Sequence, residues 1–273
     1  MIPRVAHFVF GLRPQDEPFH LLQYLAIESC RRAVAPDEIV LHVDELPYGI
    51  YWDLARPLVT VDRIRALTDL PETGAGEYRY AHQSDVIRLD ILAADGGLYA
   101  DIDTLFLAEI PDHLRRAPAV IGAEADVQYP DRPAPEASVS NALIMAEPGS
   151  QFVALWREQI IAAMDGTWSG HSCRLATRLA AQLPDEVQVQ PRQTFHPFGH
   201  TVAGMAALLD EPYVPGSLDM TLSVHMCAHL WWSARRRDFS TFSALDATES
   251  YLATADTPLA VLARPYLPEH GLF

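Results

Sequence analysis

The stretch AHQSDVIRLDILAADGGLYADIDT, residues 81–104, carries the signals that decide the fold. Val86 and Leu89 begin an apolar i, i+3, i+7 stripe, which is typical of a helix that packs on one face. Gly96-Gly97 follows at the point where such a helix must stop. The run Leu98–Ala100 then predicts a short buried strand. We therefore expect a helix, a sharp turn and a strand in this order.

Two carboxylates, Asp101 and Asp103, directly follow the predicted strand. Open α/β sheets bind their ligands beyond the carboxyl ends of their strands, so a site is expected here. On extended backbone the two side chains would point to the same side, about 7 Å apart at the backbone, and could share one divalent cation. Asp85 and Arg88, spaced i, i+3, share a different helical face from Val86 and could reach over the same site.

The other predicted elements indicate one α/β domain over all 273 residues. Val5–Phe10 is apolar almost throughout and suits a buried central strand. A helical stripe that starts at Leu21 ends at Pro36, and Glu38–Asp44 predicts the next strand, which completes a βαβ unit. The predicted fold class is therefore α/β, with a mostly parallel sheet flanked by helices.

The composition excludes some partners. The formal net charge is −16 and the chain contains no lysine, whereas nucleic acids and anionic membranes both need a basic footprint. A nucleoside diphosphate would need arginines or a metal ion to hold it here. The run Arg235–Arg237 is either a solvated turn or a clamp for such a diphosphate. Three scattered cysteines predict buried free thiols.

The amino terminus predicts where the protein is found. Met1–Arg4 leads directly into the first predicted strand, without the basic and apolar regions of a signal peptide. No apolar run approaches the roughly 18 residues of a membrane-spanning helix. We therefore expect a soluble, cytoplasmic protein without a transmembrane anchor.

The motif in residues 81–104 resembles that of a known family, the GT-A-fold glycosyltransferases with a DXD sugar-binding region. The family includes yeast-type α-mannosyltransferases, α-1,4-galactosyltransferases and, more distantly, clostridial glucosylating toxins. The matching residues, in order, are Ser84, Asp85, Arg88, Gly96, Gly97, Tyr99, Asp101 and Asp103. Residues 2–11 resemble the family's opening strand, and Ala228–Trp231 resembles its carboxyl-terminal His-x-Trp element.

The resemblance implies a single GT-A-like domain over residues 1–273. Residues 1–104 would form the donor nucleotide-binding part, which ends in the DXD motif. Residues 105–273 would form the acceptor side and a carboxyl-terminal metal or diphosphate segment. A Thr-Gly-Pro turn borders the active site in the family, and residues 169–171, Ser-Gly-His, stand in its place here.

The resemblance also implies roles for individual residues. The ligands of Mn²⁺ or Mg²⁺ would be Asp101, Asp103 and His229. The catalytic residues would be Asp85, Arg88 and Asn141. The donor would be bound by Phe10, Asp85, Arg88, Tyr99 and Asp101, with Phe10 stacked on the base.

His225 and His229 are four residues apart, a spacing that on a helix places both imidazoles on one face, as in zinc helices. No glutamate follows His225 as a zinc hydrolase would require. The family interpretation therefore keeps His229 in the site and leaves His225 structural.

The resulting interpretation is a metal-dependent hexosyltransferase that moves a sugar from a nucleotide-diphosphate-sugar donor, expected to be a UDP-sugar, to a hydroxyl acceptor. A glycan or small molecule is the expected acceptor rather than a protein, and the related families retain the anomeric configuration. Two alternatives stay open. One is a nucleotide-sugar hydrolase or nucleotidyltransferase, which also uses paired aspartates and a metal. The other is a nucleotide-sugar-binding module without turnover.

Overall fold

The computed structural model describes residues 1–67, 70, 79–128, 133–231 and 247–269. In this part of the chain the strands are β1 (Val5–Phe10), β2 (Glu38–Val43), β3 (Thr60–Arg63), β4 (Gly97–Ala100), β5 (Thr104–Phe106), β6 (Ala119–Ala123), β7 (Val139–Ala146), β8 (Gln188–Gln190) and β9 (Ser223–His225). The α-helices are α1 (Leu21–Ser29), α2 (Ile50–Ala55), α3 (Arg79–Ala94), α4 (Asp112–Arg115), α5 (Gln151–Gln159), α6 (Cys173–Gln182), α7 (Arg192–Phe195), α8 (Val202–Leu209), α9 (Ala228–Trp231), α10 (Glu249–Thr254) and α11 (Pro258–Ala263).

Seven strands form one sheet in the order β3-β2-β1-β4-β7-β6-β8. Strands β3, β2, β1 and β4 pair in parallel, and so do β6 and β8. Only β7, among these seven, runs antiparallel to its neighbours β4 and β6. The predicted α/β class, with a mostly parallel sheet flanked by helices, is confirmed.

Helices cover both faces of this sheet, so its central strands are buried on both sides. Leu143 and its neighbour Ile144 on β7 belong to different hydrophobic clusters, because successive residues of a strand point to opposite faces. One cluster includes Leu25 of α1, and the other includes Leu89 of α3 and Trp156 of α5. This two-faced burial explains why the strands read as continuous apolar runs.

The turn between α3 and β4 requires glycine. Gly96 and Gly97 have φ angles of 65° and 98°, a region that other residues rarely adopt. A Cβ atom on Gly97 would also lie 2.6 Å from the carbonyl oxygen of Val5. The predicted helix, sharp turn and strand of residues 81–104 are therefore confirmed.

The backbone does not stay extended from Asp101 to Asp103, and that expectation is wrong. Residues 102 and 103 form a turn, which the hydrogen bond from Thr104 N to Asp101 O, at 2.9 Å, closes. The turn leads from β4 into β5, which forms a separate two-stranded sheet with β9. Asp103 thus stands at the junction of the two sheets.

The pairing of β5 with β9 brings the carboxyl-terminal segment to the motif. The strands are antiparallel, with Thr104 opposite His225, and Met226 N donates to Asp103 O at 2.9 Å. Cys227 then adopts a φ of 48°, which separates β9 from α9. His225 and His229 are therefore on different elements, so their spacing does not reflect one helix.

None of the helices in the described residues combines the length and apolar character that a membrane crossing requires. The cytoplasmic location and the division of the chain at residue 104 stay predictions.

Candidate active site

A cavity of about 580 Å³ opens at the sheet edge where β4 and β6 end and β7 begins, a volume typical of small-molecule sites. Most of the predicted site residues line it, namely Asp85, Arg88, Tyr99, Asp101, Asp103, Asn141 and His229. Phe10 is absent from this lining and packs edge-on against Phe19, with ring centroids 5.1 Å apart. Its role in stacking on a base stays a prediction.

The α3 wall of the cavity consists of Ser84, Asp85, Arg88, Tyr99 and Asp101. Arg88 is only 4% exposed, and its Nη2 lies 3.0 Å from Asp85 Oδ1 and 3.3 Å from Asp101 Oδ1. Its Nε donates to the Ser84 carbonyl, and its guanidinium carbon lies 4.6 Å from the centre of the Tyr99 ring. Arg88 therefore joins the helix and the DXD turn in one buried ionic network.

Asp85 is held from three directions. Its Oδ1 accepts a hydrogen bond from Asn141 Nδ2 at 2.7 Å as well as contacting Arg88, and its Oδ2 lies 3.0 Å from His171 Nε2. His171 is fully buried. It occupies the position where the family pattern has proline, and the sequence analysis assigned it no role. The sequence signal that could have identified this residue is a histidine in a turn where the family motif has proline.

Asp101 accepts a 2.8 Å hydrogen bond from the Tyr99 hydroxyl. Burial raises the pKa of Asp101, and the adjacent Arg88 charge only partly opposes this, so the pKa stays above its ordinary value. The Asp101 side chain is 26% exposed, so it is partly open to the cavity while Arg88 lies beside it.

Asp103 pairs with a histidine that the sequence analysis considered structural. His225 Nε2 lies 3.1 Å from Asp103 Oδ1 and 3.9 Å from Asp101 Oδ2, and Ala228 N donates to Asp103 Oδ2 at 2.7 Å. Burial alone raises the pKa of Asp103, but the His225 charge and these hydrogen bonds outweigh it and hold the pKa well below its ordinary value.

Asp101, Asp103 and His225 could together hold a metal ion. Each offers one ligand atom, and these atoms lie within 4.8 Å of one another. Two carboxylate oxygens and an imidazole nitrogen suit Mn²⁺, and Mg²⁺ with water completing its shell. The donor set therefore fits the predicted cation.

His229 lines the cavity beside this cluster but is not one of its three members. Its ring stacks on that of Trp168, with centroids 5.5 Å apart, and its charge contributes to lowering the pKa of Asp103. Its role as a metal ligand stays a prediction. The run Arg235–Arg237 lies outside the described residues.

A second part of the cavity lining, the β6 wall, consists of Glu124, His196, Phe198, Gly199 and His200. Glu124 directly follows β6; Ser138 Oγ donates to its Oε1 at 2.7 Å, and His200 Nδ1 lies 3.8 Å from its Oε2. The sequence analysis did not single out this wall. Glu124, like Asp101, follows an apolar strand at its carboxyl end, which is a signal that could have found it.

Residues 23–126 match the family described as glycosyltransferase sugar-binding region containing DXD motif. This range holds α3, the glycine turn, β4 and both motif aspartates. This part of the chain is therefore similar to the DXD glycosyltransferase region. The DXD glycosyltransferase region thus supplies the α3 wall and the carboxylates of the metal cluster.

A curated relative extends the similarity beyond that region. Glucan organizing enzyme 1 of Cryptococcus neoformans var. grubii is 32% identical over 210 residues, which is 73% of this chain and 56% of the relative. The chain therefore spans little more than half of that relative's length.

Two solved structures share weaker similarity. The PaToxG glycosyltransferase is 17% identical with a TM-score of 0.45, and the match covers 66% of this chain and 69% of that chain. The 4-diphosphocytidyl-2C-methyl-D-erythritol synthase of Anaerococcus prevotii is 15% identical with a TM-score of 0.40. This match covers 68% of this chain and 86% of that chain. Both scores are below 0.5, too low to carry an activity over to this chain.

Proposed function

We propose that this protein is a metal-dependent glycosyltransferase that moves a hexose from a nucleotide-diphosphate-sugar, with UDP-sugar as the favoured donor, to a hydroxyl acceptor. The observation that carries the proposal is the convergence of Asp101, Asp103 and His225 in a cavity whose α3 wall belongs to the family motif. The name of the related fungal enzyme refers to glucan, which supports a glycan acceptor.

The proposed metal ligands are Asp101, Asp103 and His225. Mn²⁺ or Mg²⁺ held there would neutralise the charge that develops on the leaving diphosphate. A lysine-free, acidic chain has few other cations for this purpose. His229, beside the cluster, is proposed to face the diphosphate.

The residues of the α3 wall have a positioning role in this proposal. Arg88 fixes Asp85 and Asp101 in one geometry, and Asn141 and His171 complete the hydrogen bonds of Asp85. Asp85 is thereby oriented to accept hydrogen bonds from donor sugar hydroxyls. Because its carboxylate is so fully engaged, we favour departure and attack on one face of the sugar, with retention, over a covalent glycosyl-enzyme.

The alternatives differ in their products. A nucleotidyltransferase would form or cleave the diphosphate bond, a hydrolase would release free sugar even with acceptor present, and a binding module would release nothing. Only a glycosyltransferase couples the release of nucleoside diphosphate to a glycosylated acceptor.

The test incubates the protein with UDP-glucose, UDP-galactose, UDP-N-acetylglucosamine or GDP-mannose, and with glucose oligosaccharides as acceptors, in Mn²⁺ or EDTA. We expect one donor to yield nucleoside diphosphate and glycosylated product in Mn²⁺ only. Asp103→Asn should lower this rate at least about a hundredfold, whereas Asp112→Asn, exposed on α4, should not change it. Release of pyrophosphate or nucleoside monophosphate, or undiminished transfer by Asp103→Asn, would contradict the proposal.

A further inference from the structure

The link from β9 to α9 begins after His225, and its second residue is Cys227. We propose that Cys227 is a positioning residue for the metal site: its sulfur accepts a hydrogen bond from His225 Nδ1 and so holds the other ring nitrogen, Nε2, towards the cation. This inference rests on the proposed function, because His225 is one of the proposed metal ligands. It assigns a role to a residue outside the DXD motif.

The two ring nitrogens of His225 face different partners. Nε2 lies 3.1 Å from Asp103 Oδ1 and 3.9 Å from Asp101 Oδ2, so it is the nitrogen on the side of the carboxylates. Nδ1 lies 3.6 Å from Cys227 Sγ. A neutral imidazole that binds a metal ion through Nε2 carries its proton on Nδ1, and an acceptor for that proton fixes the orientation of the ring. Cys227 Sγ is in the position of this acceptor.

The thiol can accept from the ring because its own proton has another partner. Cys227 Sγ lies 3.8 Å from the carbonyl oxygen of His225, to which its S–H group donates. Sulfur is a weak donor and a weak acceptor, and it can make both contacts at once. His196 also packs edge-on against the His225 ring, with centroids 6.3 Å apart, but neither of its ring nitrogens has a hydrogen-bond partner among the described residues. Cys227, and not His196, therefore holds the ring by a hydrogen bond.

The backbone on either side of Cys227 is attached to a second metal ligand. Met226 N donates to Asp103 O at 2.9 Å, and Ala228 N donates to Asp103 Oδ2 at 2.7 Å. The link thus joins Asp103 through its main chain and His225 through the Cys227 side chain. One short segment fixes the relative positions of two of the three proposed ligands.

Cys227 is retained at a position that favours glycine. Its φ of 48° is in the left-handed region, which glycine adopts without a steric cost and other residues adopt at some cost. Such strained positions cluster at functional sites, where the side chain itself is needed. The thiol is free and the residue lines the cavity at 4% exposure.

A second cysteine provides a matched control. Cys30 is also a free buried thiol, but it is completely buried in the hydrophobic core and does not line the cavity. Replacing Cys30 by alanine removes the same atom from a well-packed interior. The comparison therefore separates the loss of a buried sulfur from the loss of the contact with His225.

The test titrates Mn²⁺ alone into wild type, Cys227→Ala, Cys227→Gly and Cys30→Ala, with the free ion measured by electron paramagnetic resonance. We expect both Cys227 variants to lose at least about tenfold in Mn²⁺ affinity, the scale of removing the hydrogen-bond partner of a metal ligand. Cys30→Ala should stay within about twofold of wild type, because no proposed ligand contacts Cys30.

Stability distinguishes this role from a purely structural one. Cys227→Gly should unfold at a higher urea concentration than Cys227→Ala, because glycine suits the left-handed φ. Their Mn²⁺ affinities should nevertheless be equally low, because both variants lack the sulfur. In the transfer assay, a raised Mn²⁺ concentration should restore kcat in both variants, because the sulfur affects the retention of the metal and does not contact the substrate.

Other results would overturn the inference. Wild-type Mn²⁺ affinity in Cys227→Ala, or an affinity that recovers in Cys227→Gly together with stability, would make Cys227 a structural residue of the link. His225→Ala is the reference that tests the proposed function separately. If His225→Ala binds Mn²⁺ as wild type does, the proposed metal site is wrong; if it loses affinity and the Cys227 variants do not, only the role of Cys227 is wrong.

Discussion

The two walls of the cavity differ in how their polar atoms are satisfied. On the α3 wall, each guanidinium nitrogen of Arg88 and each carboxylate oxygen of Asp85 contacts another protein group. On the β6 wall, His196 has no partner for either ring nitrogen among the described residues. The side chains of the first wall are therefore held by other protein groups before a ligand arrives, whereas the His196 ring on the second wall is not held by hydrogen bonds to the described residues.

The largest expected effect comes from removing the cation that organises the α3 wall. Arg88→Ala leaves the buried Asp85 and the half-buried Asp101 without their shared partner, which should lower the free energy of unfolding by about 3–5 kcal/mol and abolish transfer. Arg88→Lys should restore only part of this loss, because one ammonium cannot imitate the planar guanidinium fork. Urea denaturation and the transfer assay measure both effects.

The control for this prediction is Arg157→Ala, which breaks the exposed ion pair with Asp90. A surface pair contributes about 0–1 kcal/mol, so this variant should unfold almost as wild type does. If Arg88→Ala and Arg157→Ala were equally stable, the α3 wall would not depend on Arg88.

A smaller effect is expected at His7, which is buried as His196 is. His7 lies on β1, where its Nδ1 is 3.0 Å from His42 Nε2 and its Nε2 is 3.0 Å from Gly96 O. Burial, with His42 adding to it, lowers the pKa of His7 from 6.5 to about 4. This histidine needs no ligand, so its protonation should affect stability alone.

The pH dependence follows from this lowered pKa. The unfolded chain binds the proton of His7 below about pH 6.5 and the folded protein binds it only near pH 4. The stability is therefore complete above pH 6.5 and falls as the pH is lowered towards 4, by about 3 kcal/mol at most. Urea denaturation should show a shallower decline for His7→Gln than for His113→Gln, an exposed control on α4. Identical slopes in the two variants would contradict the assignment.

The sequence predicted those parts of the site that local chain geometry determines. The spacing of Val86 and Leu89 predicted α3, and Gly96-Gly97 marked its end, because helix periodicity and positive φ angles are properties of short segments. The positions of Asp101 and Asp103 after β4 followed from the general rule for open sheets. For these residues the structure differs only in the turn that replaces extended backbone.

The parts that were not predicted depend on contacts between distant residues. His225 reaches Asp103 only because β9 pairs with β5, and no spacing within Ser223–His225 indicates that partner strand. His196 enters the cavity because Gly122, on another strand, leaves room for its ring. Hydrophobic periodicity carries no information about such pairings, so a helical spacing was assumed for His225 where the structure has a strand.

The most direct test of the account is the titration of Mn²⁺ into the protein with UDP present, for wild type, His225→Ala and His229→Ala. The account predicts that His225→Ala loses at least about a hundredfold in Mn²⁺ affinity, as removal of a ligand should, while His229→Ala stays within about tenfold. The opposite order, with His225→Ala binding as wild type and His229→Ala failing to bind, would contradict the assignment of Asp101, Asp103 and His225 as the metal site.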